Sequence, residues 1–474
     1  MLACVPAPMK SPQVLVIGGG IAGLCAAISA RRAGARVLLI ESAPRWRRGG
    51  NSRHGRNFRF FHDQPSALVA GSYPADEFAA DLTRATDGNG DAALACVLIN
   101  RSRAAPRWLL EAGVALQARA RGQLPFSRKT AFLLGGGQAM VNALYARAER
   151  LGVDIRYECA ASKPRLQGNR LTGIDLRSPC QPGVPGEMAG ETPGETLAPG
   201  AVVLACGGAQ GNADWLRQHC GERAEGFINR GTPEARGELL IDLLAKGAQA
   251  VGDPRRLYLV AVDARSPVDD GGIVTRIRGM PLGLVVDGDG RRRHDEGADQ
   301  GSTRYALWGQ RLADYPGQIG YLLLDAEGLK AAPAALYPPL SAPDLPRLAR
   351  LLGMDADALE TTWLTYNAAM RAFPASHSPP LDPPRTQPAR PLATSPFAAY
   401  PMRPGLTFTY HGLAVDTQAR VRLASGEPII NLFAAGTLMA PNLCPQGYLS
   451  GLMLTIGLVF GCLAGEEAAR HVRN

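Results

Sequence analysis

The sequence predicts an α/β fold in which a Rossmann-like unit is interrupted by a second unit. The apolar run Val14–Ile17 is typical of a buried parallel strand, and it leads into three glycines and a helix. A second predicted strand, 36–40, is apolar after its first residue and is followed by an acidic residue, as the next strand of such a unit is. From about 226 to 391 this character disappears, and 474 residues exceed what one hydrophobic core usually holds.

The three glycines are Gly18, Gly20 and Gly23, and they form the pattern G-x-G-x-x-G. A tight turn needs the first glycine, close approach of a pyrophosphate needs the second, and close packing of helix on strand needs the third. The pyrophosphate would face unpaired N–H groups at the helix start. Glu41 lies at the distance where an acid binds a ribose 2′-hydroxyl. Together these features predict a dinucleotide-binding site rather than an ordinary βαβ turn.

The composition is that of a globular protein and argues against a nucleic-acid partner. Hydrophobic residues make up 46% of the chain and charged residues 20%. The formal net charge is +9, but no basic run is interleaved with aromatic residues. Two explanations of the excess charge stay open: a basic pocket for polycarboxylate anions, or a solvated surface.

The nine cysteines contain no C-x-x-C pair, which argues against an iron–sulfur cluster, c-type haem or structural zinc in this chain. We therefore predict no metal site, and free thiols fit a reducing cytoplasm. The segment 449–465 is uncharged and close to membrane-spanning length, but it holds four glycines and is followed by Glu466 and Glu467. We predict a buried helix there and no membrane span.

Composition shifts divide the rest of the chain. Helices are predicted from 74 to 115. Pro179–Gly200 is rich in glycine and proline without periodicity, so we expect an exposed, mobile loop. Pro374–Pro391 is proline-dense and is predicted to be the linker that returns from the second unit.

Five segments resemble those of one flavoprotein family. They are Gly49–His54 (GGNSRH), Gly135–Gly137 (GGG), Val202–Gly208 (VVLACGG), Asn431–Gly436 (NLFAAG) and Gly447–Gly451 (GYLSG). In order and spacing they resemble the family that includes fumarate reductases, succinate dehydrogenase flavoproteins and 3-ketosteroid dehydrogenases. Within it, GGNSRH followed by Arg56-Asn57 looks most like the FAD-dependent tricarballylate dehydrogenases.

The resemblance implies a Rossmann-like FAD-binding domain with a three-layer sandwich and a β-meander, plus an inserted α+β cap domain. We expect the first part of the FAD-binding domain over 12–225, the cap over 226–392 and the second part over 393–474. FAD is expected to be noncovalent, because Asn51 stands where complex II flavoproteins carry the histidine joined to the flavin. The residues that the resemblance places at FAD are Gly18, Gly20, Ile21, Ala22, Gly23, Glu41, Gly49, Gly50, Asn51, Ser52, Ala160, Cys206, Gly207, Gly208, Gly436, Tyr448, Leu449 and Ser450.

A candidate proton acceptor follows Val285–Glu296, a stretch similar to the "VN-x-x-G-x-RF-x-x-E" segment of fumarate reductases. In those enzymes an arginine a few residues later transfers the proton. The counterpart here is Arg304, and Arg276 or Arg278 lies near the place of the relay arginine. The alternative is that Arg304 is an ordinary surface or salt-bridge arginine.

The residues that hold a dicarboxylate in fumarate reductases are not all matched. Leu257–Leu259 contains no histidine, His411 is shifted from the expected place, and Tyr448 stands where an arginine would be. The tyrosines resemble the tricarballylate branch, so plain fumarate reduction is not expected. His411 either faces the substrate or pairs with a loop carbonyl, and His54 either approaches the flavin or pairs with a carbonyl.

The resemblance implies a flavoenzyme that oxidises a CH–CH bond of a polycarboxylate to an alkene, as in tricarballylate to cis-aconitate. A hydride would pass to FAD while Arg304, helped by Tyr410 or His411, accepts the proton. Tyr448 is the remaining catalytic candidate. Two alternatives stay open. One is a biosynthetic oxidase or desaturase, such as the flavoprotein part of aerobic cobalamin ring contraction; the other is a flavin electron-transfer subunit without its own substrate.

The expected partners are a small carboxylate substrate and a separate electron acceptor. The acceptor is a membrane-bound protein with iron–sulfur and haem centres, a quinone or oxygen. We expect the chain in the cytoplasm, free or associated with the inner face of the membrane through this partner. The sequence leaves open the exact substrate, the acceptor, the direction of the reaction and the oligomeric state.

Overall fold

A computed structural model describes residues 12–118, 127–177, 195–298, 304–372, 381–387 and 389–473. The side chains of residues 304 and 305 lie outside this description. Most of the loop predicted over Pro179–Gly200 and part of the linker predicted over Pro374–Pro391 also lie outside the described residues.

The strands and helices are numbered in chain order. The strands are β1 (Val14–Ile17), β2 (Val37–Ile40), β3 (Asn57–Arg59), β4 (Thr130–Phe132), β5 (Asp154–Arg156), β6 (Ala160–Gln167), β7 (Arg170–Arg177), β8 (Thr196–Leu197), β9 (Ala201–Leu204), β10 (Ile228–Asn229), β11 (Ala250–Asp263), β12 (Leu284–Asp287), β13 (Gly320–Leu324), β14 (Leu340–Ala342), β15 (Phe397–Leu413), β16 (Arg420–Arg422) and β17 (Pro428–Ala434). The helices are α1 (Ile21–Arg32), α2 (Ala75–Thr86), α3 (Ala92–Ser102), α4 (Ala105–Glu111), α5 (Gly136–Arg150), α6 (Ala213–Cys220), α7 (Glu238–Ala245), α8 (Arg304–Ala313), α9 (Ala326–Ala331), α10 (Leu345–Leu352), α11 (Ala356–Ala372) and α12 (Leu452–His471).

The first unit is built on a sheet in the order β16-β17-β9-β1-β2-β5. Its strands are parallel except for β16, which runs antiparallel to β17. β1, β2 and β9 are buried along their whole length, as a parallel sheet covered on both faces requires. Helices α1 and α12 pack on each other and against the sheet. The predicted Rossmann-like unit is therefore confirmed.

The predicted β-meander is the antiparallel sheet β6-β7-β8. It is joined to the main sheet through the buried Asn431 of β17, whose side chain exchanges two hydrogen bonds of 2.9 Å with the backbone of Leu171 in β7. Helices, main sheet and meander are the three layers of the predicted sandwich. This part of the fold prediction is confirmed.

Helix α12 contains the apolar segment that the sequence predicts to be buried. It is the one helix of the described residues that is long and apolar enough to cross a membrane, and 78% of its most apolar window is buried. Its glycines face α1: a Cβ at Gly461 would overlap the carbonyl oxygen of Ala22, and one at Gly465 would overlap that of Ala26. The glycines thus allow two helix backbones to pack closely in the protein core.

The second unit is an α+β structure. Its sheet has the order β10-β15-β13-β12, and β11 and β14 also pair with β15. Helices α8 to α11 belong to this unit, with α10 and α11 packed together. Trp363 of α11 meets Phe397 of β15 edge to face at 5.0 Å within one of the hydrophobic cores of this unit. The predicted α+β cap is confirmed as a fold.

The chain passes between the two units at positions that differ from the boundaries expected from the sequence. The first unit holds the chain up to Asn212, then Glu234–Arg256, and then the chain from Thr409 onward. The second holds Ala213–Pro233 and Leu257–Phe408. Strands β11 and β15 each continue across a boundary, and in β11 the boundary lies where the polar, partly exposed stretch 252–256 changes to the buried, apolar stretch 257–262. The predicted ranges 12–225, 226–392 and 393–474 stay a prediction.

Candidate functional site

The glycine turn after β1 has the geometry of a phosphate-binding loop. Gly18 has a φ of +102°, and a Cβ there would lie 2.5 Å from the carbonyl oxygen of Ala205. A Cβ at Gly23 would overlap the carbonyl oxygen of Gly18, so only glycine lets α1 pack this close to β1. Gly20 differs, because a Cβ there would meet nothing nearer than the Ser52 hydroxyl at 3.2 Å. The space beside Gly20, at the start of α1, can thus receive a phosphate group.

Glu41 is held at the end of β2 by backbone amides. Its Oε2 accepts hydrogen bonds from the N–H groups of Gly19 at 3.1 Å and Gly49 at 3.2 Å, and its Oε1 accepts one from Ala43 at 3.0 Å. The residue is only 5% exposed. Burial raises the pKa of the Glu41 carboxyl above its ordinary value, although these three amides act to lower it. The arrangement fixes one carboxylate beside the glycine turn, where a ribose hydroxyl can bind.

Glu41 leads to a prediction about pH. Its raised pKa means that the carboxyl takes up a proton at a higher pH than a free glutamate does. Protonation removes acceptor capacity, so we expect FAD affinity to fall on acidification, and to begin falling at a higher pH than the protonation of a free glutamate would cause. The stability of the apoprotein responds oppositely, since charging a buried acid with a raised pKa costs the folded state. Titrating FAD into the protein and into Glu41→Gln over a series of pH values checks the sign for affinity, and melting the two apoproteins over the same series checks the sign for stability. An equal pH dependence in the two proteins would contradict the prediction.

The segment after Glu41 folds over the glycine turn. Residues Gly50–His54 form a 3₁₀ helix, and Gly49 before it has a φ of +105°. The Ser52 hydroxyl accepts a hydrogen bond of 2.9 Å from the N–H of Ile21, the first residue of α1. A Cβ at Gly137 of α5 would overlap the carbonyl oxygen of Ser52, which explains that glycine. The structure therefore brings the predicted segment 49–52 directly against the helix start.

The end of β9 supplies the next part of the site. β9 pairs with β1, which places the following residues beside Gly18. Gly207 has a φ of +83°, and a Cβ at Gly208 would lie 2.7 Å from the hydroxyl of Thr409. Burial raises the pKa of the Cys206 thiol to about 11. Cys206 is therefore a neutral thiol at physiological pH and not a thiolate nucleophile.

Gly436, after β17, also lies against the start of α1. It has a φ of +71°, and a Cβ there would lie 2.9 Å from the Cβ of Ala22. Ala160 opens β6 next to Cys159, whose N–H donates to the carbonyl oxygen of Glu41 at 3.0 Å. Most of the predicted FAD residues therefore lie close together around the start of α1. They are the glycine turn, Glu41, the 49–52 segment, the 206–208 segment and Gly436. Ala160 lies near Glu41.

The closing segment Gln446–Gly451 lies next to β3. Ser450 accepts a hydrogen bond of 3.0 Å on its hydroxyl from the side chain of Asn57, Leu449 is buried and Tyr448 is half-buried. The hydroxyl of Tyr410 donates to the carbonyl oxygen of Gly447. Tyr410 is therefore observed in contact with the closing segment, and its catalytic role stays a prediction.

The structure gives the backbone positions of the other catalytic candidates, His411 and Arg304. His411 follows Tyr410 on β15 and is 8% exposed. Arg304 is the first residue of α8 in the second unit. In that unit the ring of Tyr258 is buried and stacks on Phe408 at 4.9 Å. The roles of Arg304, His411 and Tyr448 stay predictions. In the described ranges, no group of three or more His, Cys, Asp or Glu residues could hold a metal ion.

Sequence reasoning missed three residues whose side chains contact Glu41 or the closing segment. The hydroxyl of Tyr145, in α5, lies 3.5 Å from the Glu41 carboxylate although 104 residues separate the two. Asn57 and Arg59 contact Ser450 across more than 390 positions. No local motif signals such contacts.

Comparison with known proteins agrees with this geometry. The chain matches the FAD binding domain family over residues 13–444. It is 28% identical over 493 aligned residues to the fumarate reductase (cytochrome) of Shewanella frigidimarina, covering 100% of this chain and 79% of that protein. The family match confirms FAD as the cofactor and confirms the predicted kinship with fumarate reductase-type flavoproteins.

Two solved structures share the fold. The open conformation of a flavocytochrome c3 fumarate reductase has a TM-score of 0.78 at 23% identity, covering 99% of this chain and 80% of that chain. The 3-ketosteroid-delta4-(5alpha)-dehydrogenase from Rhodococcus jostii RHA1 has a TM-score of 0.70 at 23% identity, covering 99% of both chains. These likenesses confirm the predicted fold class.

Proposed function

Since this chain belongs to the FAD binding domain family, we propose that it is an FAD-dependent dehydrogenase acting on a CH–CH bond beside carboxylates. Its proposed reaction is the oxidation of tricarballylate to cis-aconitate. The observation that carries the choice against fumarate is Tyr448, which stands in the closing segment where fumarate reductases have a substrate-binding arginine. A tyrosine there offers a neutral hydroxyl in place of a cation, so fumarate would lose one charge-assisted contact; the choice of tricarballylate itself follows the resemblance of Gly49–His54 and Arg56-Asn57.

The proton acceptor in this proposal is Arg304. When bound, FAD accepts the hydride, so the protein itself must remove the neighbouring proton. Arg304 occupies the first position of α8. Other arginines would hold the carboxylates through charge-assisted hydrogen bonds.

We propose that FAD is held without a covalent bond. Asn51 lies in the 3₁₀ helix Gly50–His54, close to the glycine turn through its neighbour Ser52. The amide of Asn51 cannot form the bond that a histidine forms at the corresponding place in complex II flavoproteins. Denaturation should therefore release all of the flavin into solution.

The electrons are proposed to leave through a separate acceptor, a membrane-bound redox protein, a quinone or oxygen. The name of the Shewanella relative, fumarate reductase (cytochrome), supports a redox partner for proteins of this kind. A cytoplasmic location at the inner face of the membrane is part of the same proposal.

A second candidate is the reverse reaction, the reduction of an activated alkene. It is supported by the names of relatives that are called reductases, among them the fumarate reductase (cytochrome). Noncovalent flavin is compatible with this direction, because covalent attachment normally raises the flavin potential toward oxidation of the substrate.

The experiment is an anaerobic survey of both directions. Oxidised protein is mixed with tricarballylate, succinate or a precorrin, and chemically reduced protein with cis-aconitate or fumarate. We expect tricarballylate to reduce the flavin fastest. Faster reaction of the succinate–fumarate pair would contradict the choice of substrate. Reaction with none of these compounds would instead favour an electron-transfer subunit.

A further inference from the structure

A cluster of charged and polar side chains, buried except for its lysine, contacts the closing segment Gln446–Gly451. We call Arg59, Tyr73, Asp81 and Lys129 the Arg59 cluster. Arg59 ends β3 and is 5% exposed. A guanidinium this deeply buried is costly unless its donors are paired, so its partners reveal what it does.

Arg59 connects the closing segment to helix α2. Its Nε donates to the carbonyl oxygen of Ser450 at 3.1 Å. Its Nη1 donates to the Tyr73 hydroxyl at 2.6 Å and to Oδ2 of Asp81, in α2, at 3.2 Å. The Arg59 side chain therefore holds the carbonyl group of Ser450, while Tyr73 and Asp81 hold Arg59 itself.

Asp81 is the charged centre of the cluster. Its Oδ2 also accepts hydrogen bonds from the Tyr73 hydroxyl at 2.8 Å and from Nζ of Lys129 at 2.6 Å. Burial acts to raise the pKa of the Asp81 carboxyl, but the bonds from Lys129 and Tyr73 and the charge of Arg59 outweigh burial and lower it. Asp81 is thus a carboxylate at neutral pH and keeps Arg59 oriented.

The backbone of the closing segment is held at both ends by the same elements. Gly451 has a φ of +80°, and a Cβ there would lie 2.9 Å from the backbone nitrogen of Arg59. At the other end, a Cβ at Gly447 would overlap the carbonyl oxygen of Ala85 in α2. The side chain of Gln446 donates to the Asp87 carboxylate at 2.6 Å. β3 and α2 together leave the segment little freedom.

The bond from Arg59 also sets the direction of one peptide plane. In a trans peptide the C=O and the following N–H point to opposite sides. Because the carbonyl of Ser450 faces Arg59, the N–H of Gly451 faces away from it. Gly451 precedes the first residue of α12, where the positive end of the helix dipole lies. The plane is therefore positioned to present a donor on the side opposite to Arg59.

We propose that Arg59 is a positioning residue for FAD, which acts through the Ser450 peptide to set both the affinity for FAD and the reduction potential of the bound flavin. The proposal rests on the assignment of Tyr448, Leu449 and Ser450 to the FAD site. It is independent of the substrate, so its failure and the failure of the dehydrogenase proposal are distinguishable.

The test compares Arg59→Met with Arg84→Ala. Met removes every donor at a similar length, while Asp81 keeps Tyr73 and Lys129 as partners. The control Arg84 also pairs with Asp81, at 3.1 Å, but its side chain is 75% exposed and no bond from it to Ser450 is observed. We expect Arg59→Met to weaken FAD binding by about tenfold to hundredfold, the loss of a charge-assisted hydrogen bond, and to shift the flavin midpoint potential. Arg84→Ala should match the wild type in both.

Two further variants keep the proposal falsifiable. Arg59→Lys retains the charge but cannot reach Ser450 and Asp81 with the same geometry, so it should restore only part of the affinity. If Arg59→Met does not fold, Asp81→Asn provides the measurement, because it keeps the shape and removes the charge that orients Arg59. A folded Arg59→Met or Asp81→Asn with wild-type FAD affinity and potential would overturn the proposal. A potential shift in the same direction in both variants would support it.

Discussion

Arg304→Ala is expected to fold and bind FAD as the wild type does, and to lose substrate-driven reduction of the flavin. Removal of a general base usually costs about 10²- to 10⁴-fold in rate, and we expect a loss of this size in the rate constant of flavin reduction by tricarballylate. Anaerobic stopped-flow absorbance measures this constant directly. Binding of FAD should be unaffected, because Arg304 lies in the second unit and the gathered glycine turn lies in the first.

The matched control for Arg304→Ala is Arg350→Ala. Arg350 is an exposed arginine of α10 in the same unit, so the control removes one positive charge without touching the proposed site. We expect it to reduce the flavin at the wild-type rate. If Arg304→Ala instead retains the wild-type rate and only lowers the melting temperature, Arg304 is an ordinary salt-bridge residue and the proposed mechanism is wrong.

Gly23→Ala is expected to destabilise the protein and to abolish FAD binding together. A Cβ at Gly23 would overlap the carbonyl oxygen of Gly18, which is backbone and cannot rotate away. Helix α1 must then move from β1, and overpacking of a core in this way costs about 1–3 kcal/mol or more. The melting temperature of the apoprotein and the flavin content after reconstitution measure the two effects.

Gly20→Ala is expected to weaken FAD binding without lowering the stability of the protein. Gly20 has a φ of −73°, which alanine adopts without strain, and the nearest atom to its Cβ would be the hydroxyl of Ser52 at 3.2 Å. We therefore expect the apoprotein to melt close to the wild type while FAD binding is strongly weakened, because the methyl group occupies the space for the pyrophosphate. Wild-type FAD affinity in Gly20→Ala would show that the phosphates do not bind there.

Much of the first unit could be predicted because its signals are local. Val14–Ile17 and Val37–Ile40 are apolar on both faces, as buried parallel strands must be, and Gly18 and Gly23 each meet a steric requirement of the turn. Helix α12 could be predicted as a core helix because glycines recur along it where α1 packs. In each case a few neighbouring residues determine the structure.

The rest depends on contacts that sequence spacing does not encode. The carboxylate of Glu41 meets Tyr145 from 104 positions away, and Arg59 reaches Ser450 from 391. Two of the four unit boundaries fall inside the strands β11 and β15, so a unit boundary need not coincide with the end of a strand or helix. The sequence also leaves open whether Arg304 is a base or a structural arginine, since arginine serves both purposes.

The most direct test of the central claim is the anaerobic addition of tricarballylate to the purified, FAD-loaded protein, followed by its visible spectrum and by analysis of the product. We expect the absorbance of oxidised flavin at about 450 nm to disappear, with equal molar amounts of cis-aconitate and reduced flavin. A protein that takes up no FAD, or one whose flavin stays oxidised with every carboxylate tried, would contradict the account.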